Sequence, residues 1–143
     1  MERVRIGGGP DAGLIIPLTI SKTFTLDGTQ AATAANYSTV FWVPDGTHRL
    51  RAVYVRYTAA GTDGGAVTVM LKKVPNGTAP ASGTDMLSAG ISLKGTANTI
   101  LSGTVTSTDA NKEVVAQDGI AVVLTGTPTS VAGLTVETVW ARY

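Results

Sequence analysis

Apolar residues recur at every second position in short runs along this chain, and each run halts at a glycine, a proline or an Asn-Gly or Asp-Gly pair. In "AVTVMLKKV" (Ala66 to Val74) the residues Val67, Val69 and Leu71 share one face. In "IAVVLTG" (Ile120 to Gly126) Ile120, Val122 and Leu124 do the same, as do Leu134, Val136 and Trp140 in the closing "LTVETVWARY". A period of two is the mark of a strand with one face in a core. Between such runs stand "PDGT" (Pro44 to Thr47), "TAAGTDGG" (Thr58 to Gly65) and "PNGTAPASGT" (Pro75 to Thr84), whose residues suit tight turns. No window carries the 3.6-residue period of an amphipathic helix over three turns. From Tyr37 onward the candidate strands are Tyr37 to Val43, His48 to Tyr57, Ala66 to Val74, Asp85 to Lys94, Asn98 to Thr106, Glu113 to Ala116, Ile120 to Gly126 and Leu134 to Tyr143. The expected fold is therefore all-β, an eight-stranded sandwich or barrel.

Composition narrows the function. The 143 residues suit one domain, large enough to bury a core without the disulfides that its lack of cysteine forbids. Net charge is +1 and charged residues make up only 15%, which argues against nucleic acid as a partner. No apolar run reaches the roughly 18–20 residues of a membrane helix, so no membrane partner is expected. The opening MERVRIGGGP is not read as a secretory signal. So few charges on a threonine-, alanine- and glycine-rich chain suggest that part of the surface is covered by a partner.

Residues 1–36 break the rhythm. "IGGGPDAG" (Ile6 to Gly13) is rich in glycine, and "LIIPLTI" (Leu14 to Ile20) is interrupted by Pro17, which suits an edge strand or an extended arm. "KTFTL" (Lys22 to Leu26) alternates, with Phe24 and Leu26 on one face. The reading is an N-terminal arm over 1–36 with two short edge strands, followed by a sandwich domain over 37–143. The alternative is that the arm's strands are the first of the sandwich.

Little in the chain points to chemistry. His48 is the single histidine, so any Ser-His-Asp or Cys-His device would have to use it. Its place after a turn marks it as a solvent-touching strand-start residue. Asp63, Asp85 and Asp118 sit in or beside loops without the frame of a calcium loop, and turn formation explains them. The glycines of 7–13 lack the Lys-Ser/Thr ending of a phosphate loop. No catalytic residue, metal site or cofactor is expected. Arg49 and Arg51 share one strand face, with Arg56 on the other, and are candidates for docking onto an acidic surface, as are Arg3 and Arg5 in the arm. Adjacent Phe41 and Trp42 are expected to face opposite ways, one into the core and one toward an arm, a subunit or a glycan.

The stretches "VYVRYTAAGTDGGAVTVMLKKVPNGTAPASGTDML" and "ISLKGTANTILSGTVTSTDANKEVVAQDGIAVVLTGTPTSVAGLTVETVWAR" together resemble a β-sandwich module of tailed-phage virion proteins, above all the capsid decoration (cement) and head-fibre group. The resemblance runs from about Val53 to Arg142. It implies a jelly-roll domain, a homotrimer on local three-fold positions of an icosahedral shell, and no enzymatic activity. The partner implied is the major capsid protein of the same virion, and the place is the outer surface of the capsid. Residues expected at the capsid or subunit contact are Arg3, Arg5, Leu14, Ile15, Ile16, Leu18, Arg49 and Arg51. The alternative is a head-fibre or tail-associated module that binds a receptor or a host-surface glycan.

Overall fold

The computed structural model describes residues 3–6, 14–31 and 37–143, with side chains from residue 18 onward. Strands β1 (Arg3–Ile6) and β2 (Leu14–Pro17) pair antiparallel as a two-stranded sheet of their own, with Arg3 opposite Pro17 and Ile6 opposite Leu14. The glycine-rich stretch 7–13 and the segment 32–36 lie outside the described residues.

The sandwich follows. Its strands are β3 (Thr19–Thr29), β4 (Ser38–Trp42), β5 (His48–Arg56), β6 (Thr68–Val74), β7 (Thr84–Asp85), β8 (Ile91–Ser92), β9 (Leu101–Gly103), β10 (Glu113–Val114), β11 (Gly119–Thr125) and β12 (Ala132–Arg142). One sheet runs β3, β12, β5, with β9 and β10 sharing the far edge of β5. The other runs β4, β11, β6, with β7 and β8 sharing the far edge of β6. All these ladders are antiparallel. Pairings nest: the first strand of the sandwich with the last, β4 with β11, β5 with β9 and β10, β6 with β7 and β8. A long hairpin rolled onto itself gives this pattern, and it is the jelly roll.

The core lies between the sheets. It holds Leu50, Val53, Val55 and Tyr57 from the β5 region, Val67, Val69 and Leu71 from β6 and its approach, Ile120, Val122 and Leu124 from β11, and Leu134, Val136 and Trp140 from β12. The alternation seen in the sequence is thus the alternation of burial. Strand β11 is buried on both faces, because Ala121 and Val123 are covered as well and the 3-10 turn Pro80–Ser82 packs over β4, β6 and β11.

Three expectations need correction. First, Thr19–Thr29 is not arm but a full sandwich strand, paired with β12 from Thr19↔Ala141 to Thr29↔Ala132. Its inward residue Phe24 is buried, with its ring 6.0 Å from Tyr37 and 5.8 Å from Phe41. The sandwich therefore begins before residue 37. Second, the runs Asp85 to Lys94 and Asn98 to Thr106 are strand only at β7, β8 and β9, because turns and bends break them between short ladders.

Third, two β-bulges shift the faces. In the β4–β11 ladder Ile120 pairs with Trp42 and Ala121 with Val40, so Phe41 is the extra residue. Phe41 and Trp42 then both turn inward, Phe41 to Phe24 and Trp42 to Trp140, whose rings lie 5.0 Å apart. In the β5–β12 ladder Val139 pairs with Ala52 and Trp140 with Leu50, so Arg51 is the extra residue. Beyond it the inward positions are Val53 and Val55, which puts exposed Arg56 on the outer face with Arg49 rather than opposite it. An inserted residue reverses the parity of everything after it.

Candidate functional site

Of the expected contact residues, Leu18, Arg49 and Arg51 are described with side chains, and they lie toward one end of the sandwich. Leu18 links β2 to β3, is half-buried, and its carbonyl accepts a 2.8 Å hydrogen bond from the Arg142 amide. Arg142 pairs on its other side with His48 at the start of β5. Leu18 and His48 are thus two strand spacings apart, roughly 10 Å. Arg49 follows at once, and Arg51 is two residues further along β5. The β1–β2 sheet joins the sandwich through Leu18, so Arg3, opposite Pro17, is near its root rather than its tip. The side chains of Arg3, Arg5, Leu14, Ile15 and Ile16 lie outside the described residues.

Other chain segments meet at this end. The Tyr143 amide donates to the Thr47 carbonyl at 3.0 Å, and the Gln117 amide to the Pro44 carbonyl at 3.4 Å. Around these turns Val43 (59% exposed) and Val115 (50% exposed) present apolar surface to solvent. The four-residue helix α1 (Asp109–Lys112) leads into β10 beside Arg49.

The two arginines differ in their surroundings. The Arg49 guanidinium reaches Glu113 at 3.4 Å and Asp109 at 3.9 Å, and lies 5.6 Å from the centre of the Tyr143 ring. Arg49 is a tether between β5, α1 and β10, and much of its charge is answered within the chain. Asp109 is held below its usual carboxyl value by the hydrogen bond and charge of Lys112, 3.0 Å away, with Arg49 adding to the effect. Arg51, displaced by the bulge, is exposed, and among the described residues no ion pair engages it. A cavity of about 280 Å³ at the same place is lined by Arg49, Arg51, Thr106, Ser107 and Lys112, a basic and hydroxyl-bearing rim. Sequence spacing does not single out Lys112, because only the β10–β5 pairing carries it there.

His48 is not a solvent-touching residue. It is fully buried, with its ring 5.0 Å from that of Trp42 at an interplanar angle of 80°. Its Nδ1 lies 2.9 Å from the Gly46 carbonyl oxygen. A carbonyl only accepts, so Nδ1 carries a proton and donates. Among the described residues there is no cluster of three or more metal-ligating side chains, and no helix is long and apolar enough to cross a membrane.

No family model matches the sequence, and no curated protein gives a significant match. Solved structures do match. A chain in the capsid of Ralstonia phage GP4 is similar with a TM-score of 0.60 at 19% identity, covering 96% of this chain and 89% of that one. A chain in the capsid asymmetric unit of cyanophage Pam1 is similar with a TM-score of 0.50 at 9% identity, covering 96% and 98%. At such identities the likeness is one of fold, and it extends over nearly the whole chain.

Proposed function

We propose that this chain is a virion structural protein, a capsid decoration (cement) protein that binds the outer surface of an icosahedral phage head as a homotrimer and does no catalysis. The observation that carries the reading is the shared jelly roll, which spans 96% of the chain, with a chain found in a phage capsid. The geometry of the candidate site supports it: the β1–β2 sheet, exposed Arg51 and the apolar Val43 and Val115 belong to the same end of the sandwich.

In this reading the major capsid protein is the partner, and β1–β2 together with Arg51 forms the contact. An exposed arginine supplies a charge for an acidic acceptor without first breaking an internal pair. Three chains around a three-fold axis present three such ends, so weak contacts add as one avid unit and the symmetry selects the site. The test mixes purified protein with shells that lack it and images the particles. Density for trimers at local three-fold positions is the expected result. Unaltered shells, or a stable monomer by light scattering at micromolar concentration, contradict it.

A further inference from the structure

Strand β3 ends its sheet with an open edge. The Leu18 carbonyl accepts from the Arg142 amide, and the unbroken register from Thr19↔Ala141 to Leu26↔Leu134 carries that phase along the ladder. Even-numbered residues of β3 therefore bond to β12, and the Thr138 hydroxyl on the Lys22 carbonyl agrees with this. The peptide groups of Thr19, Ser21, Thr23 and Thr25 point off the sheet. Among the described residues none of them has a backbone partner on that side.

Long strand edges are normally blunted by charge, proline or a bulge. Over the eight residues from Thr19 to Leu26, β3 has no proline and no shift in its ladder. Its outward side chains, Thr19, Ser21, Thr23 and Thr25, are exposed and uncharged. Its one charge in that stretch, Lys22, turns inward, with its ammonium 5.4 Å from the centre of the Trp42 ring, and leaves the edge clear. The other free edges among the described residues are short: β4 has five residues, β9 three, and β7, β8 and β10 two each.

A strand that fits this edge alternates apolar residues inward with uncharged polar residues outward, and β3 is itself such a strand. Two copies can pair antiparallel about a two-fold axis at Thr23. Ser21 then stands opposite Thr25 of the second copy, so hydroxyl meets hydroxyl on the outer face. On the inner face Ile20 stands opposite Leu26 of the second copy, and within one chain both are only partly buried. The pairing adds about six backbone hydrogen bonds. Centring the axis on Lys22 instead would set two lysines face to face, which disfavours that register.

We propose that β3 is a docking edge for a second copy of this chain, joined antiparallel across a two-fold axis into one continuous sheet. The contact does not rest on shell attachment. In a three-fold assembly it links one trimer to the next. An edge of this length is smaller than a standard stable interface, so the pairing is weak, half-complete at about 0.1 mM.

Two double variants test it. Ser21→Lys with Thr25→Lys sets lysine against lysine twice across the axis, and Ser21→Glu with Thr25→Glu does the same with glutamate. The β12 neighbours of these positions, Val139 and Thr135, are uncharged, so each variant should keep its fold. In analytical ultracentrifugation at about 1 mM, the unaltered chain should show a mean mass at least about one and a half times that of either variant. An equal mixture of the two variants should regain it. This comparison holds whether the basic unit is one chain or three, so it is read apart from the trimer and from shell binding. Amide exchange on the unaltered protein is the second readout: Ser21, Thr23 and Thr25 should slow about fourfold between about 10 µM and 1 mM. Four results overturn the proposal: equal masses for the unaltered chain and the variants; a mixture that fails to reassociate; exchange at the three amides that ignores concentration; or protection of them only when shells are added, which gives the edge to a shell strand instead.

Discussion

Single residues decide whether the polar groups inside this sandwich are tolerable. Trp140 is fully buried, and its indole N–H donates to Thr138 Oγ at 2.7 Å; Thr138 in turn donates to the Lys22 carbonyl at 2.7 Å. The threonine hydroxyl is the one group that satisfies both. Thr138→Val keeps the shape and strands the indole N–H, so it should cost about 2 kcal/mol in urea denaturation, with Thr138→Ser recovering most of it. Gly126 sits at φ +88°, and a Cβ there would lie 1.9 Å from the Ala66 carbonyl oxygen. Gly126→Ala therefore meets both a disfavoured backbone and a collision, and should destabilise by about 3 kcal/mol, read as a lowered denaturation midpoint. His48 shows how neighbours override position. Its place after a turn reads as exposed, yet Trp42 stands against it and leaves the ring no access to solvent.

At the scale of elements, β3 sets where the fold begins. It contributes Phe24 to the core and covers one whole edge of β12. Removing residues 1–17 should leave a folded sandwich, since the paired residues of β3 start at Thr19. Removing residues 1–29 should abolish cooperative melting, because it deletes Phe24, the Lys22 carbonyl and the β3–β12 ladder together. Circular dichroism melts of the two truncations distinguish these outcomes. Phe24 and Leu26 stand out as a strand face in the sequence. That this strand belongs to the sandwich depends on β12, more than a hundred residues later, and no local pattern encodes that pairing. The bulges at Phe41 and Arg51 are hidden for the same reason: a bulge exists only relative to a partner strand. Strands β6 and β11 were plain because both lie inside a sheet, where alternation or continuous apolarity must match the core.

For the whole molecule, the two arginines make opposite predictions. In the proposed shell contact, Arg51→Glu should weaken binding at least about tenfold in co-sedimentation, with a shallower salt dependence, while leaving the melt unchanged. Arg49→Ala should instead lower stability by at most about 1 kcal/mol, the scale of a partly exposed ion pair, through the lost contacts to Glu113 and Asp109. Both arginines stand out in the sequence as docking candidates of equal weight. Only the antiparallel placement of β10 on β5 sets Glu113 and Asp109 beside Arg49 and leaves Arg51 exposed. The same arrangement brings Leu18, the start of β5 and the chain's last residues to one end, from positions far apart in sequence.

What local order can express was present in the linear chain: alternating faces, turns that end strands, and too few helical periods for any other class. These follow from backbone geometry, which acts over a few residues. Which strand opens the roll, which residue bulges, which of Arg49 and Arg51 is paired and why a histidine is sealed beside a tryptophan were settled by long-range packing. Each depends on a partner brought close only when two sheets close over a shared core, and that energy is gained by the assembled layers rather than by any stretch alone.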